Sequence, residues 1–215
     1  QTIWSADLQK DYGAKDNEWG ISENLLYDGN VLYCTPGGSG ASLVALDRNT
    51  GKMIWKSKGN GNKSAYCSPI MIKIQNRKII ITMMENSVCA FEASTGKLLW
   101  QYEHINDTGV HPNVPVYING YLYCTSGYGK GGEMWKNSEL DSRTGGVVVL
   151  NGKIYGSGDR NRKIFCLDWQ TGKQVFSTKE MAPATLIAND GILYIYSESG
   201  KIFLVEPKTD GFNIL

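Results

Sequence analysis

The sequence predicts an all-β protein built from repeated four-stranded antiparallel sheets, and three observations carry that prediction. The stretch Leu43-Val44-Ala45-Leu46-Asp47-Arg48-Asn49-Thr50-Gly51-Lys52-Met53-Ile54-Trp55 recurs as Val88 to Trp100 and as Ile164 to Phe176, with a worn copy from Phe203 to Gly211. The hairpin pairs Asp28-Gly29, Asn119-Gly120, Asn151-Gly152 and Asp190-Gly191 each lie between β-forming runs, and Asn76-Arg77 stands at the matching place in the remaining unit. The composition, with 25 Gly, 6 Trp and 12 Tyr, suits many short strands joined by tight turns. Repeats of this length mean a stacked or radial architecture, and two hairpins per repeat make one blade of a β-propeller.

Each residue of the repeat has a physical task. Asp47, Glu92, Asp168 and Glu206 end apolar runs, where a carboxylate can accept hydrogen bonds from the N–H groups of the following turn. Gly51, Gly96, Gly172 and Gly211 are placed for the positive φ of a tight corner. Four residues further on stand Trp55, Trp100, Phe176 and Leu215, a large apolar side chain for one packing slot between successive sheets.

Spacing gives the count. Gly51 and Gly96 are 45 residues apart and Gly172 and Gly211 are 39 apart, while Gly96 and Gly172 are separated by 76, enough for two units. About five units follow, near residues 22–57, 68–104, 112–140, 144–178 and 184–215, in a single propeller domain over 1–215. Residues 1–8, with Ile3-Trp4, read as the outer strand of a preceding blade. A polar loop from Lys10 to Gly20 then leads into the first unit, and helix signals are nearly absent. The third unit is damaged: Cys124 lies only 11 residues before Trp135, whereas Cys34 lies 21 before Trp55. Either this blade lacks a strand and its corner, or the sequence as it stands omits a segment around Lys130–Glu133, where the Gly-rich run from Gly127 to Gly132 reads as a loop.

A net charge of +1 argues against nucleic acid or an anionic membrane surface as partner. No stretch is long and apolar enough for a transmembrane helix. The five cysteines, Cys34, Cys67, Cys89, Cys124 and Cys166, form no CxxC pair and sit in strand-like contexts, which reads as burial as small hydrophobes. His104 and His111 read as solvated or turn-capping residues, because a metal site needs more ligands nearby. No metal site is expected.

The connections between units are long, polar and different from one another, while the strands repeat. Variation confined to one set of loops is how a repeat scaffold carries a site. Trp19, Glu23, Tyr66, His111, Asp141 and Arg143 are the candidates for a channel-face binding site. No catalytic residue can be named.

The Leu-x-Ala-Leu-Asp-x-x-Thr-Gly-Lys-x-x-Trp pattern resembles the PQQ-type β-propeller repeat of the quinoprotein alcohol dehydrogenase-like superfamily. Trp19-Gly20-Ile21-Ser22-Glu23, Cys34-Thr35-Pro36-Gly37-Gly38 and Ser64-Ala65-Tyr66-Cys67-Ser68-Pro69 resemble its bacterial polyvinyl-alcohol-dehydrogenase-like branch. The resemblance implies an eight-bladed ring in the periplasm or outside the cell. Five units would be part of that ring, and missing blades or another chain would close it. Active quinoprotein dehydrogenases hold the quinone against an adjacent Cys-Cys disulfide, stack it on a Trp, and bind Ca²⁺ through Glu, Asn and Asp. This chain has no adjacent cysteines, and Arg143-Thr144 stands where the branch carries His, so no cofactor-binding residue carries over. The expectation is a ligand-binding or scaffolding module of the cell envelope, with no demonstrable cofactor. The alternative is a PQQ- and Ca²⁺-dependent dehydrogenase acting on an alcohol or sugar.

Overall fold

The computed structural model describes residues 1–15, 17–126, 139–142 and 145–215. They form two compact units, Gln1–Pro115 and Val116–Leu215. The stretch near 130–133, where a strand is expected to be absent or omitted, lies outside the described residues.

In the first unit, one sheet runs in chain order through β1 (Leu26–Asp28), β2 (Val31–Cys34), β3 (Val44–Asp47) and β4 (Met53–Lys56). A second sheet runs likewise through β5 (Ile70–Ile74), β6 (Arg77–Met84), β7 (Ser87–Glu92) and β8 (Leu98–Glu103). All pairings are antiparallel between neighbours in sequence. Strand periodicity explains the burial. Tyr33 of β2, Ala45 of β3 and Leu43 just before β3 point to one side and pack on Ile80, Met84, Cys89 and Phe91 of the second sheet. Cys34, Val44 and Leu46 point to the other side, where Trp4, Leu8 and Tyr12 cover them.

The repeated corner works as its residues suggest. One Asp47 oxygen, Oδ1, accepts from the N–H groups of Asn49 (3.0 Å) and Thr50 (2.8 Å) and from the Thr50 hydroxyl (2.9 Å). Asp168 repeats this with Gln170 and Thr171. Gly51 and Gly96 take φ of 71° and 72°. A tryptophan lies on each: a Cβ at Gly96 would stand 2.4 Å from the Trp55 ring, and one at Gly51 would stand 2.6 Å from the Trp4 ring. The indole N–H of Trp55 donates to the Ala93 carbonyl (3.2 Å) and that of Trp4 to the Arg48 carbonyl (2.9 Å). Ala93 and Arg48 are equivalent positions, one residue past the corner acid.

Trp4 thus occupies the slot expected of an outer-strand tryptophan, although Ile3-Trp4 is not strand-paired. An outer strand needs a third strand beside it, and no described strand pairs with this segment. The polar loop also departs from expectation. Leu8–Tyr12 is a short helix, α1, capped by the Asp7 carboxylate on the N–H groups of Gln9 and Lys10 and ended by Gly13 at φ 70°. Local capping and the apolar pair Leu8 and Tyr12, four residues apart, supply the helix that the strand pattern concealed.

The second unit holds a pair of strands, β9 (Val116–Ile118) and β10 (Tyr121–Tyr123). It also holds two four-stranded sheets. The first comprises β11 (Val147–Leu150), β12 (Lys153–Gly158), β13 (Lys163–Asp168) and β14 (Gln174–Thr178). The second comprises β15 (Ala184–Asn189), β16 (Ile192–Ser197), β17 (Ile202–Pro207) and β18 (Phe212–Ile214). Val116, Ile118 and Tyr123 pack with Ile154, Phe165, Leu167 and Trp169. Tyr155, Ile164 and Cys166 pack with Leu186, Leu193, Ile195 and Val205. These are blade-on-blade interfaces, and the fold is of the β-propeller type.

One corner and one hairpin depart from the repeat. Gly211 is not in the positive-φ region. Pro207 lacks the N–H that Arg48, Ala93 and Trp169 donate to the preceding hairpin at this place, and the chain closes a tighter hairpin in which Lys208 donates its backbone N–H to the Gly211 carbonyl at 2.9 Å, while the Glu206 carboxylate pairs with the Lys208 ammonium instead of a corner. Leu215, expected in the packing slot, is exposed, and Phe176 meets Phe212 edge-on at 5.0 Å rather than a glycine. The hairpin expected at Asn76-Arg77 turns one residue earlier, because Ile74 pairs with Arg77 and Gln75 takes φ 54°.

Candidate functional site

In the first unit the connecting loops converge on the two-residue turn Glu85-Asn86 between β6 and β7. The Glu85 N–H donates to the Lys63 carbonyl (3.0 Å), and the His104 N–H donates to the Asn86 carbonyl (3.0 Å). The His111 N–H donates to the Ala65 carbonyl (3.0 Å). Asn17 reaches in from the first connection and donates its side-chain amide to the Ser64 carbonyl (2.8 Å) and hydroxyl (2.9 Å). Three different connections are therefore stitched together by hydrogen bonds that the strands do not need.

Their meeting point is a cavity of about 120 Å³ lined by Glu18, Trp19, Lys63, Tyr66, Glu85 and residues 108–110. Trp19 is 59% exposed at its rim. Its ring lies 5.9 Å from that of Tyr66, and its backbone N–H donates to the Tyr66 hydroxyl at 3.2 Å. Tyr66 holds φ 67°, a conformation that a bulky residue keeps only where surrounding structure enforces it.

Among the six expected site residues, Trp19, Tyr66 and His111 come together here. His111 is fully buried behind the cavity, with Nε2 3.1 Å from the Glu85 carbonyl and its ring 4.9 Å from that of His104. Both histidines are buried, so the solvated alternative is lost, while the contact of His111 with the carbonyl of the turn residue Glu85 matches the turn-capping one. Burial pushes the His111 pKa down to about 4, and neighbouring His104 acts in the same direction.

Glu23 is a brace within the first unit. Its carboxylate accepts from the Thr35 N–H (2.7 Å) and from the Thr35 hydroxyl, tying the chain that enters β1 to the chain that leaves β2. Burial raises its pKa to about 7 against the opposing pull of the Thr35 N–H. The nearby thiols of Cys34 and Cys67 are pushed up to about 12 by burial, which makes them inert packing groups. Glu23 also lines an open cleft of about 690 Å³ beside Ser5 to Gln9. Asp141, in the second unit, braces its own sheet in the same way: its fully buried carboxylate accepts from the N–H groups of Asp159 (2.8 Å) and Arg160 (3.3 Å) after β12. Burial raises its pKa. Arg143 lies outside the described residues.

Sequence reasoning missed Glu85, Lys63, Asn17 and residues 108–110 as site elements. Glu85-Asn86 carries a legible signal, a polar pair between two apolar runs, but nothing local says which loops it meets. No group of three or more His, Cys, Asp or Glu residues able to hold a metal occurs among the described residues.

Comparison with known proteins fits the repeat. A family model described as outer membrane protein assembly factor BamB matches residues 1–130 and 119–211. The chain belongs to this family of PQQ-like repeat proteins. It is 26% identical over 206 residues to the outer membrane protein assembly factor BamB of Burkholderia pseudomallei, covering 87% of this chain and 52% of that protein. It is 23% identical to the quinoprotein alcohol dehydrogenase PedH of Pseudomonas putida, covering 83% of this chain and 31% of that protein. The crystal structure of BamB from Moraxella catarrhalis superposes with a TM-score of 0.68 at 16% identity, over 89% of this chain and 61% of that one. A computationally designed protein, Ika8, gives a TM-score of 0.60 at 13% identity over 84% of this chain and 56% of that one. The chain thus spans about half the length of its BamB relative in Burkholderia pseudomallei.

Proposed function

We propose that this protein is a cell-envelope scaffolding module that binds a protein partner through the loop face built around Glu85-Asn86. The observation that carries the reading is the convergence of three unlike loops on one polar, aromatic-rimmed cavity above sheets that repeat. The likeness to an outer membrane protein assembly factor over 87% of the chain supports it and suggests the envelope as location. No helix among the described residues is long and apolar enough to cross a membrane. Deleting the gene from the source organism is expected to lower the abundance of outer-membrane proteins, and the full-length gene is expected to restore it. Unchanged abundance would overturn the reading.

The likeness to PedH favours a second reading, a PQQ- and Ca²⁺-dependent dehydrogenase. The donor set does not fit that group. The five cysteines are buried, free and far apart in sequence, so the adjacent pair that flanks the quinone is missing. The half-buried Glu23 and the buried Asp141 are spent on backbone N–H groups of their own sheets. Dye-linked alcohol oxidation by the full-length protein after addition of PQQ and Ca²⁺ tests this reading, and turnover would displace the scaffold.

A further inference from the structure

We propose that the cavity between Trp19, Tyr66 and Glu85 receives a single guanidinium group, an arginine side chain carried on a loop of the protein partner. The inference rests on the docking role of this loop face and adds to it the chemistry of the anchor.

Four of the cavity wall's hydrogen-bond donors are already engaged. The Asn17 amide is spent on Ser64, the Lys63 N–H on the Glu85 carboxylate, and the Gly109 and Thr108 N–H groups on the Asn106 side chain. The wall also carries two carboxylates, Glu18 and Glu85, against one ammonium, Lys63. Neither carboxylate forms an ion pair with another described residue. A cavity rich in acceptors selects a donor-rich cation.

Shape and rim narrow the choice. A cavity of about 120 Å³ suits the end of a side chain rather than a drug-sized ligand. The exposed Trp19 ring offers a face for cation–π stacking, which a planar guanidinium uses better than an ammonium. A guanidinium also carries five N–H donors in a fixed fork, which a carboxylate can accept two at a time. Arginine is in addition a favoured anchor at protein interfaces.

The test uses the full-length protein and acetyl-Gly-Arg-Gly-amide, with the lysine and citrulline analogues as controls. Titration followed by amide chemical shifts is expected to perturb Trp19, Ser64, Tyr66 and the 108–110 backbone saturably. The citrulline peptide is expected to bind about tenfold more weakly. Trp19→Ala and Glu85→Gln are each expected to weaken arginine binding several-fold while leaving the melting curve intact. Equal binding of citrulline or lysine, or shifts elsewhere on the protein, would overturn the proposal. A photo-crosslinker at Thr108 in cells separates the two readings. Crosslinking to a partner without peptide binding sinks the arginine anchor and spares the docking face. Loss of both sinks both.

Discussion

The sheet β1–β4 and the sheet β15–β18 have the same topology and opposite surroundings. The first is covered on both sides, by Trp4, Leu8 and Tyr12 on one and by the second sheet on the other. Among the described residues, the last is covered only on the side of Leu193, Ile195 and Val205. Its other side exposes Ile187 at 61%, Tyr196 at 57%, Ile202 at 68% and Leu215 at 65%. The difference teaches that both faces of a blade are written as interior by the repeat, whatever lies next to them. An apolar residue at these positions marks a packing face and not a core.

The sharpest way to break the covered seam is Gly96→Ala. The added methyl would strike the Trp55 ring and force a side chain into positive φ, so a loss of about 2–4 kcal/mol is expected. Urea unfolding of the variant measures it, and Trp55→Ala, which empties the same slot, should cost a similar amount.

The next effect is on pH. The folded-state pKa of His111, about 4, lies below its ordinary 6.5. Its contribution is therefore present above pH 6.5 and is lost as pH falls toward 4, a loss of about 2–3 kcal/mol. Unfolding curves across that window should show the slope, and His111→Gln should flatten it. Glu23 has the opposite sign. Its folded pKa of about 7 lies above the ordinary 4.5, so its contribution is whole below pH 4.5 and is lost as pH rises through 7. Glu23→Gln should abolish the decline between pH 5 and 8, and a decline that persists would contradict the buried brace.

A smaller effect is expected at the surface corner. The Lys153 ammonium and the Thr171 hydroxyl hold the Asp168 carboxyl down at about 2. Its contribution persists above the ordinary carboxylate range and fades only as pH drops through that value, weakened by solvent screening. Asp168→Asn should cost about 1 kcal/mol in thermal unfolding at pH 7. The smallest change should come from the open face of the last sheet. Ile202→Lys removes an apolar group that buries little, so the melting temperature should move by less than the equivalent of about 0.5 kcal/mol. A large loss would mean that this face is covered in solution.

Much of the fold was legible because it is local. The Asp-x-x-Thr-Gly corner is satisfied within a few residues, and strand alternation assigns each side chain to a face before any partner is known. The corner at Pro207 and the capped helix after Asp7 departed from the pattern through equally local chemistry that the repeat masked.

The candidate site was only partly legible. The loops were recognisable as its carriers, and Trp19 and Tyr66 did meet. Glu23 looked the same in sequence but proved to be a brace, because whether a loop acid faces outward or onto a backbone N–H depends on how its connection crosses the sheet.

Alone, the sequence determined the repeat, its corners and the antiparallel sheets, since these follow from hydrogen bonds and side-chain period over short spans. Tertiary structure alone decided that Glu85 joins two connections to which Asn17 ties a third, that His111 is buried neutral, and that one blade face is sealed while another stays open. Those outcomes depend on contacts between residues distant in sequence, which no local pattern encodes.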